Sequence, residues 1–278
     1  MDEKEVQNID AADHKDTLEN SKKIKIQNID PKKNMKKRLL NMIIAAAICI
    51  IAYSTFSFFS IQHQYQKSGQ EYERVKKKAG ADKLGLQGLD DTLPEIDLKS
   101  LQKENPDTKG WIYYPVLGIN YPIMQDKDNT FYIKHTFSGD KNAAGSVFLD
   151  CYGNPDFMDD NTYIFGHNMK NGSMFGRIKE IRKEDTVKDN PYFWIYTEEE
   201  WKKYQIFSYH DANADKKDIA FQIEFENKQA FQKFIKDVTI QSEEKLDVEV
   251  KDTDKIVSLS TCTSNSSLRL VVHGVLVK

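Results

Sequence analysis

The sequence of 278 residues has only three cysteines, too few for a disulfide scaffold. It also lacks a strong charge of either sign. Its 40 Lys and Arg residues against 43 Asp and Glu residues give a net charge of −3, so the overall balance does not indicate nucleic-acid binding. No internal repeat or low-complexity segment is evident. The length allows one large domain or two small ones.

The N-terminal 38 residues lack aromatic side chains altogether. They hold ten Lys or Arg and eight Asp or Glu residues. Such a segment cannot bury enough apolar surface to fold alone, so we predict a tail over residues 1–38.

Residues 39–61 lack any charge, and 23 uncharged residues are enough to span a bilayer as a helix. A cleaved signal peptide is the alternative. The run is longer than a usual signal-peptide core, however, and it ends on Phe58, Phe59 and Ile61 rather than on a small-residue cleavage site. We therefore predict an uncleaved membrane anchor. The basic cluster at residues 32–38 predicts a cytoplasmic N-terminus and an external C-terminal part.

After the anchor, we predict a helical stalk over residues 62–94, with glycine breaks from Gly80 onward and a short helix near Asp97–Glu104. A β-rich domain follows over residues 95–278. Apolar residues on one face predict a helix at 228–238. We predict strands at 111–116, 119–123, 131–133, 145–149, 161–166, 193–196, 204–210, 219–225, 256–262 and 268–272. Many short strands with little helix favour a mainly β fold, a closed or nearly closed barrel.

Cys262 ends one predicted strand, and Arg269 opens the next strand across a short polar turn. If the two strands pair, a permanent cation lies beside a thiol and favours its thiolate, the nucleophilic form. These residues alone leave a plainer interpretation open, because most cysteines at strand ends are small buried core residues. Cys151 adds a second alternative, since two external cysteines in an oxidising compartment can form a structural disulfide.

A cysteine nucleophile needs a proton-transfer partner, and five histidines follow the anchor. His167 heads a loop directly after a predicted strand, a typical place for a functional side chain. His273 shares the strand face of Arg269 but is expected about 13 Å from it. We therefore favour His167. The other three are expected to be structural or to lie in the stalk: His63, His135 and His210.

Three segments in this order resemble the sortases, which are membrane-anchored cysteine transpeptidases of Gram-positive cell surfaces. They are Gly166–Met169, Leu259–Thr263 and Arg269. Helical material before the first strand and the helix near 228–238 resemble class B. The resemblance implies a sortase-like β-barrel with N-terminal helices and one inserted helix, on a single transmembrane helix. The turn between Cys262 and Arg269 is short, which leaves little room for a substrate-lining loop there.

The resemblance also implies a mechanism. Cys262 would attack a backbone carbonyl after the threonine of an Asn-Pro-x-Thr-Asn-like sorting signal. His167 would protonate the leaving amine, and Arg269 would hold the oxyanion or the substrate backbone. An amine of peptidoglycan or its precursor would then resolve the thioester. Further substrate contacts are implied for Asn168, Ser260 and Thr261.

Two alternatives to a cell-wall-anchoring sortase are considered. The first is a pilus-polymerising sortase, whose acceptor is a lysine of another pilin. The second is a non-catalytic surface binding module closed by a disulfide between Cys151 and Cys262. We predict no cofactor and no required metal. Loop carboxylates can hold calcium, but no spaced EF-hand pattern or His and Cys set accompanies the acidic runs at 156–160 and 198–200.

Overall fold

The structure is a computed structural model that describes residues 31–85, 93–198, 200–214, 218–262 and 267–277. Its contacts divide the chain into two compact units, Met1–Phe59 and Ser60–Lys278. Of the predicted tail over residues 1–38, residues 1–30 lie outside the described residues, and residues 31–38 begin the first helix.

Helix α1 (Pro31–Ala79) contains the whole uncharged run. The large apolar side chains of this run are exposed, with Ile50 at 67% and Phe56 at 73%. A helix satisfies its own backbone hydrogen bonds, which the interior of a bilayer requires. Within the described residues, α1 is the one helix long and apolar enough to cross a membrane.

The C-terminal part of α1 belongs to the second unit. Tyr72, Val75 and Ala79 are buried there, and the Tyr72 hydroxyl donates a hydrogen bond to the Gly145 carbonyl at 2.8 Å. The helix ends at Gly80, whose φ of +73° suits a residue without a Cβ atom. The helix therefore covers residues 62–79 of the predicted stalk, and residues 86–92 of that stalk lie outside the described residues.

A second helix, α2 (Leu98–Glu104), precedes the first strand as predicted. The Asp97 carboxylate accepts a hydrogen bond from the Ser100 amide at 2.9 Å and so caps the first turn. The helix ends before Pro106, with Asn105 as its C-cap.

Eight strands form a closed barrel in the order β1-β2-β3-β4-β7-β8-β6-β5. The β2–β3 and β4–β7 pairs are parallel, and the other pairs are antiparallel. Closure leaves no exposed sheet edge, and it confirms the predicted fold class. The strands are β1 (Thr108–Tyr114), β2 (Ile119–Met124), β3 (Val147–Leu149), β4 (Asn161–Phe165), β5 (Tyr192–Tyr196), β6 (Trp201–Asn213), β7 (Ile256–Cys262) and β8 (Leu268–Leu276).

Strand alternation sorts side chains between the barrel interior and its outer face. Ile164 of β4 and Leu259 of β7 belong to the main hydrophobic core, as does Val272 of β8, and all three are fully buried. Tyr163, the neighbour of Ile164, belongs instead to a separate cluster with Val271. That second cluster lies on the outer face of the barrel.

The connection between β6 and β7 covers part of the outer face. It contains a short turn of 3₁₀ helix (Ile219–Phe221) and the inserted helix Lys228–Ile240. The inserted helix, here α4, follows the four-residue helix α3 (Thr186–Asp189) in the chain. The Asn227 side chain caps α4. The buried face of α4 packs against Phe207 and Val275 through Phe231, Phe234, Ile235 and Val238. The predicted helix at 228–238 is confirmed.

The strand predicted at 219–225 is wrong. Residues 219–221 form the 3₁₀ turn, and residues 222–225 are extended without a ladder partner among the described residues. The alternation has another origin, because Phe221 and Ile223 pack against the outer cluster while the Phe225 ring packs against the Phe231 ring, with centroids 4.8 Å apart. Two-sided packing of an extended segment thus imitates the pattern of a strand.

The strand predicted at 131–133 is also wrong. The Lys134 amide donates a hydrogen bond to the Phe131 carbonyl at 3.0 Å, which closes a turn. The Phe131 ring stacks on the His135 ring at 4.0 Å. Local stacking four residues apart therefore replaces pairing with another strand.

Candidate active site

A groove of about 530 Å³ lies on the outer face of the barrel, where β4 and β7 end. Its polar lining includes His167, Ser260, Thr261 and Arg269. Four of the residues predicted from the sequence are therefore brought together around one cavity. The apolar part of the lining includes Phe148, Phe165, Phe221 and Ile223.

The register of three strands fixes the backbone of this site. In the parallel β4–β7 pair, Phe165 lies opposite Ser260. In the antiparallel β7–β8 pair, Cys262 lies opposite Arg269. The predicted pairing of the cysteine strand with the arginine strand is therefore confirmed.

The loop after β4 carries His167 and is anchored by backbone hydrogen bonds. The Gly166 amide donates to the Ser260 carbonyl at 3.1 Å, and the His167 carbonyl accepts from the Met169 and Phe175 amides at 3.1 and 3.0 Å. A Cβ atom at Gly166 would lie 2.6 Å from the Phe175 ring, so only glycine fits under this loop. The loop therefore holds the backbone of His167 beside the end of β7.

The His167 ring is oriented by one of its two nitrogens. Its Nε2–H donates a hydrogen bond to the Ile133 carbonyl at 2.6 Å, and Ile133 also lines the groove. The neutral ring in this tautomer has its lone pair on Nδ1, and the imidazolium has its second proton there. One nitrogen thus fixes the orientation of the ring, and Nδ1 is the nitrogen at which the neutral ring can accept a proton.

Arg269 is half-buried in the groove lining, and its Nη1 donates a hydrogen bond to the Leu268 carbonyl at 2.9 Å. Its backbone lies between Cys262 on one side and Ala212 of β6 on the other. A guanidinium stays protonated at any physiological pH. This position therefore keeps a permanent cation at the end of the cysteine strand.

Of the three predicted substrate-binding residues, two line the groove and one lies in the His167 loop. Ser260 and Thr261 are almost fully buried, at 2% and 4% exposure, and both line the groove. Asn168 is half-buried and forms a bridge with Met174 that closes the His167 loop. It does not belong to the described residues that line the groove.

Sequence reasoning missed a polar cluster at the groove wall. The Asn129 amide group donates to the Asp150 carboxylate at 2.9 Å, and its carbonyl accepts from the Cys151 amide at 2.9 Å. Asn129 and Asp150 both line the groove. In the sequence, Asn129 lies in a polar run, a pattern that indicates a loop but no functional site. Cys151 follows β3 and has a half-buried side chain.

His273 is buried away from the groove. Ser258 Oγ lies 2.7 Å from His273 Nδ1 and 2.6 Å from the Asn161 side-chain oxygen. Because the serine proton goes to Asn161, the Nδ1–H of His273 donates to Ser258. Burial holds the pKa of His273 well below its usual value, and the nearby His210 lowers it further.

Comparisons with known proteins all point to the sortase family. The sortase domain family matches residues 112–277. The chain is 35% identical to sortase B of Listeria monocytogenes over 184 residues, which are 65% of this chain and 74% of that protein. Its structure is similar to that of Clostridium perfringens sortase B, with a TM-score of 0.62, 33% identity, and coverage of 66% of this chain and all of the other. A Staphylococcus aureus sortase B–substrate complex has the same fold, with a TM-score of 0.68, 24% identity, and coverage of 78% and 99%.

Proposed function

Because the chain belongs to the sortase family, we propose that the groove beside His167 is its active site and that Cys262 is its nucleophile. The protein is a class B-like sortase, a cysteine transpeptidase that anchors proteins carrying a sorting signal. Its first apolar segment is long enough to span a membrane, and sortases are membrane-associated. The observation that carries the site assignment is the ladder position of Cys262, opposite Arg269 and one strand from the His167 loop.

The proposed acylation step uses these positions. The Cys262 thiolate attacks the carbonyl carbon of the threonine in the sorting signal, and a tetrahedral oxyanion forms. The imidazolium of His167 gives its Nδ1 proton to the leaving amine as the C–N bond breaks, and a thioester remains. In the second step, neutral His167 takes a proton from the incoming amine, which attacks the thioester and releases the thiolate.

Arg269 is proposed to bind the developing oxyanion or the adjacent substrate backbone. Its planar group of N–H donors suits carbonyl oxygens, and donors placed in advance lose no energy to reorganisation during the reaction. The proximity of a cation to the cysteine strand also favours the thiolate. The first role requires the planar guanidinium, whereas the second requires only a positive charge.

We assign peptide contacts to Ser260 and Thr261, since both are buried residues in the groove lining. Asn168 has a different proposed part. Its bridge with Met174 closes the loop that bears His167, so it supports the substrate-binding region through the loop.

The proposed acyl donor is the sorting-signal peptide of a secreted protein, and the proposed acceptor is an amine of peptidoglycan or its precursor. The substrate-bound S. aureus relative supports the first assignment. The five basic residues at 32–38 support a topology with the N-terminus in the cytoplasm and the barrel outside. Residues 1–38 would then be the tail, 39–61 the anchor, 62–94 the linking segment and 95–278 the catalytic domain.

The experiment uses the full chain in detergent with fluorogenic Asn-Pro-x-Thr-Asn peptides, assayed with an oligoglycine amine, a lysine-containing pilin-like peptide or no acceptor. We expect cleavage by the wild type and ligation to the first amine. Ligation to the lysine peptide alone would indicate a pilus-polymerising enzyme instead.

The variants test each residue separately. We expect Cys262→Ala to abolish cleavage, His167→Ala to stop turnover while the thiol still reacts slowly with iodoacetamide, and Arg269→Lys to lose about 2–4 kcal/mol of transition-state stabilisation. The matched control is Cys151→Ala, which should turn over peptide normally. Loss of activity in Cys151→Ala together with an active Cys262→Ala would mean that the nucleophile is Cys151.

A further inference from the structure

Tyr163 lies on β4 at the base of the groove, two residues before Phe165 and four before His167. Its ring packs against the rings of Phe165 and Phe221, with centroid distances of 5.1 and 5.7 Å. The residue is only 1% exposed, yet it belongs to the groove lining. The apolar rings therefore hold its side chain firmly in one place.

The hydroxyl of Tyr163 is buried and makes no hydrogen bond of normal geometry among the residues that the structure describes, although the Ser260 side chain lies near it. Thr261 also lines the groove, and its buried hydroxyl has no partner there either. Native proteins pair almost all buried polar groups, because an unpaired one loses its hydration without compensation. Two such hydroxyls on groove-lining residues are consistent with a groove that receives a ligand with hydrogen-bonding groups.

The surroundings of Tyr163 define the chemistry of that ligand. Burial raises the pKa of its hydroxyl well above the usual value. The negative charges of Asp218 and, more weakly, Asp150 raise this pKa further, whereas the Ser260 side chain lowers it. The phenol therefore stays protonated and is a hydrogen-bond donor. The two carboxylates disfavour an anionic acceptor, so the fitting partner is a neutral carbonyl oxygen.

We propose that the Tyr163 hydroxyl binds the acyl-donor peptide by donating a hydrogen bond to one of its amide carbonyl oxygens. This inference rests on the proposed function, since it takes the groove as the active site. The bond forms when the peptide enters and changes little during acyl transfer, because Tyr163 lies opposite Ser258 on the ladder, four residues or about 13 Å along β7 from Cys262. It therefore contributes to substrate affinity and not to the chemical step.

Tyr204 provides a matched control. It is also fully buried, and its hydroxyl also has no partner among the described residues. Its ring stacks on Phe193 at 5.3 Å, within the main core. Removing either hydroxyl takes away an unpaired buried polar group, but only Tyr163 lines the groove.

The test compares Tyr163→Phe and Tyr204→Phe with the wild type, as full chains in detergent, on an Asn-Pro-x-Thr-Asn peptide. We expect Tyr163→Phe to raise KM about tenfold and to leave kcat within about twofold, since a peptide carbonyl is left unpaired in a buried site. Both variants should unfold at the wild-type temperature or above it. Tyr204→Phe should keep the wild-type KM.

A second measurement separates binding from turnover. In a Cys262→Ala background, the peptide Kd measured by fluorescence anisotropy should rise about tenfold with Tyr163→Phe and should not change with Tyr204→Phe. An unchanged Kd and KM would overturn the inference, as would a loss of thermal stability with a parallel fall in kcat, which would indicate a structural role. The proposed function itself fails separately, if the wild type cleaves no peptide or if Cys262→Ala remains active.

Discussion

Mild acid should destabilise this barrel through two buried histidines. His210 of β6 is 3% exposed, His273 of β8 is fully buried, and their rings stack at 5.5 Å beside Phe207 and Phe234. Both ring nitrogens of His210 and Nε2 of His273 have no hydrogen-bond partner among the described residues. Protonation would therefore place two adjacent cations in an apolar layer.

Burial lowers the pKa of His210 and holds that of His273 well below the usual value. Proximity of His210 lowers the pKa of His273 further. For His210, the charges of Asp218, Glu243 and Asp211 act in the opposite direction but do not outweigh burial. Both histidines are therefore neutral in the folded protein at neutral pH.

The sign and size of the effect follow from proton linkage. An unfolded histidine titrates near pH 6.5, so below that pH the unfolded chain binds protons that the folded chain excludes, and the free energy of unfolding falls as the pH falls. Between pH 7.5 and 5.5 the loss is about 1.4 kcal/mol for each histidine, or about 2.7 kcal/mol for both if neither is protonated when folded. The total free energy of unfolding of a typical domain is only about 5–15 kcal/mol, so this loss is a large part of it.

The assay is urea unfolding of the full chain in detergent at pH 7.5 and 5.5, followed by tryptophan fluorescence. All three tryptophans, at positions 111, 194 and 201, lie in the barrel unit, so the signal reports on the barrel. This pH window also lies above the range in which carboxylates lose their partners. Hydrogen bonds from Arg74 and Lys78 lower the pKa of Glu104 to about 2, and its contribution is lost only as the pH falls below about 4.5 towards that value.

His210→Phe is the decisive variant, because it retains an aromatic ring and removes two unpaired nitrogens. We expect it to be as stable as the wild type or more stable at pH 7.5, and to show about half the loss at pH 5.5. The control is His63→Gln on the exposed surface of α1, which should keep the whole loss. If His210→Phe loses as much stability as the wild type, then the histidine pair is not the origin of the acid sensitivity.

Two further outcomes are expected. Gly166→Ala places a Cβ atom 2.6 Å from the Phe175 ring, so it should cost about 1–3 kcal/mol of stability. It should also lower kcat in the peptide assay, because the His167 loop is displaced. Normal turnover would mean that the loop adapts freely. Protease added to intact protoplasts should remove the chain beyond residue 61, as detected by immunoblotting with an N-terminal tag, whereas full protection would contradict the proposed orientation.

The pairing of Cys262 with Arg269 could be predicted because the two residues are close in the chain. A short polar turn between two β-prone segments leaves an antiparallel pair as the simplest arrangement. The position of His167 beside them could not be derived in this way. It depends on the parallel pairing of β4 with β7, in which Phe165 meets Ser260, 95 residues later in the chain. The sequence favoured His167 only through its place at the head of a loop and through the family resemblance.

The segment 219–225 fails for a different physical reason. Alternating apolar residues report which side chains are buried, and an extended chain packed between two apolar surfaces has the same alternation as a strand. Here Phe221 faces the Tyr163 ring and Phe225 faces α4. Hydrogen bonding to a neighbouring strand, which distinguishes the two cases, leaves no trace in the residue pattern.

The site is built from two kinds of element, a strand ladder and an extended segment that is packed against it. The hydrogen-bonded ladder of β4, β7 and β8 sets the relative positions of His167, Cys262 and Arg269. Residues 219–223 join no ladder with the residues that the structure describes; Phe221 and Ile223 contribute one apolar wall of the groove, and Phe221 packs on the Tyr163 ring. A substitution at Phe221 or Ile223 can therefore change the groove without moving the ladder. The chemistry and the fit of the peptide thus depend on different kinds of contact, backbone hydrogen bonds for the first and side-chain packing for the second.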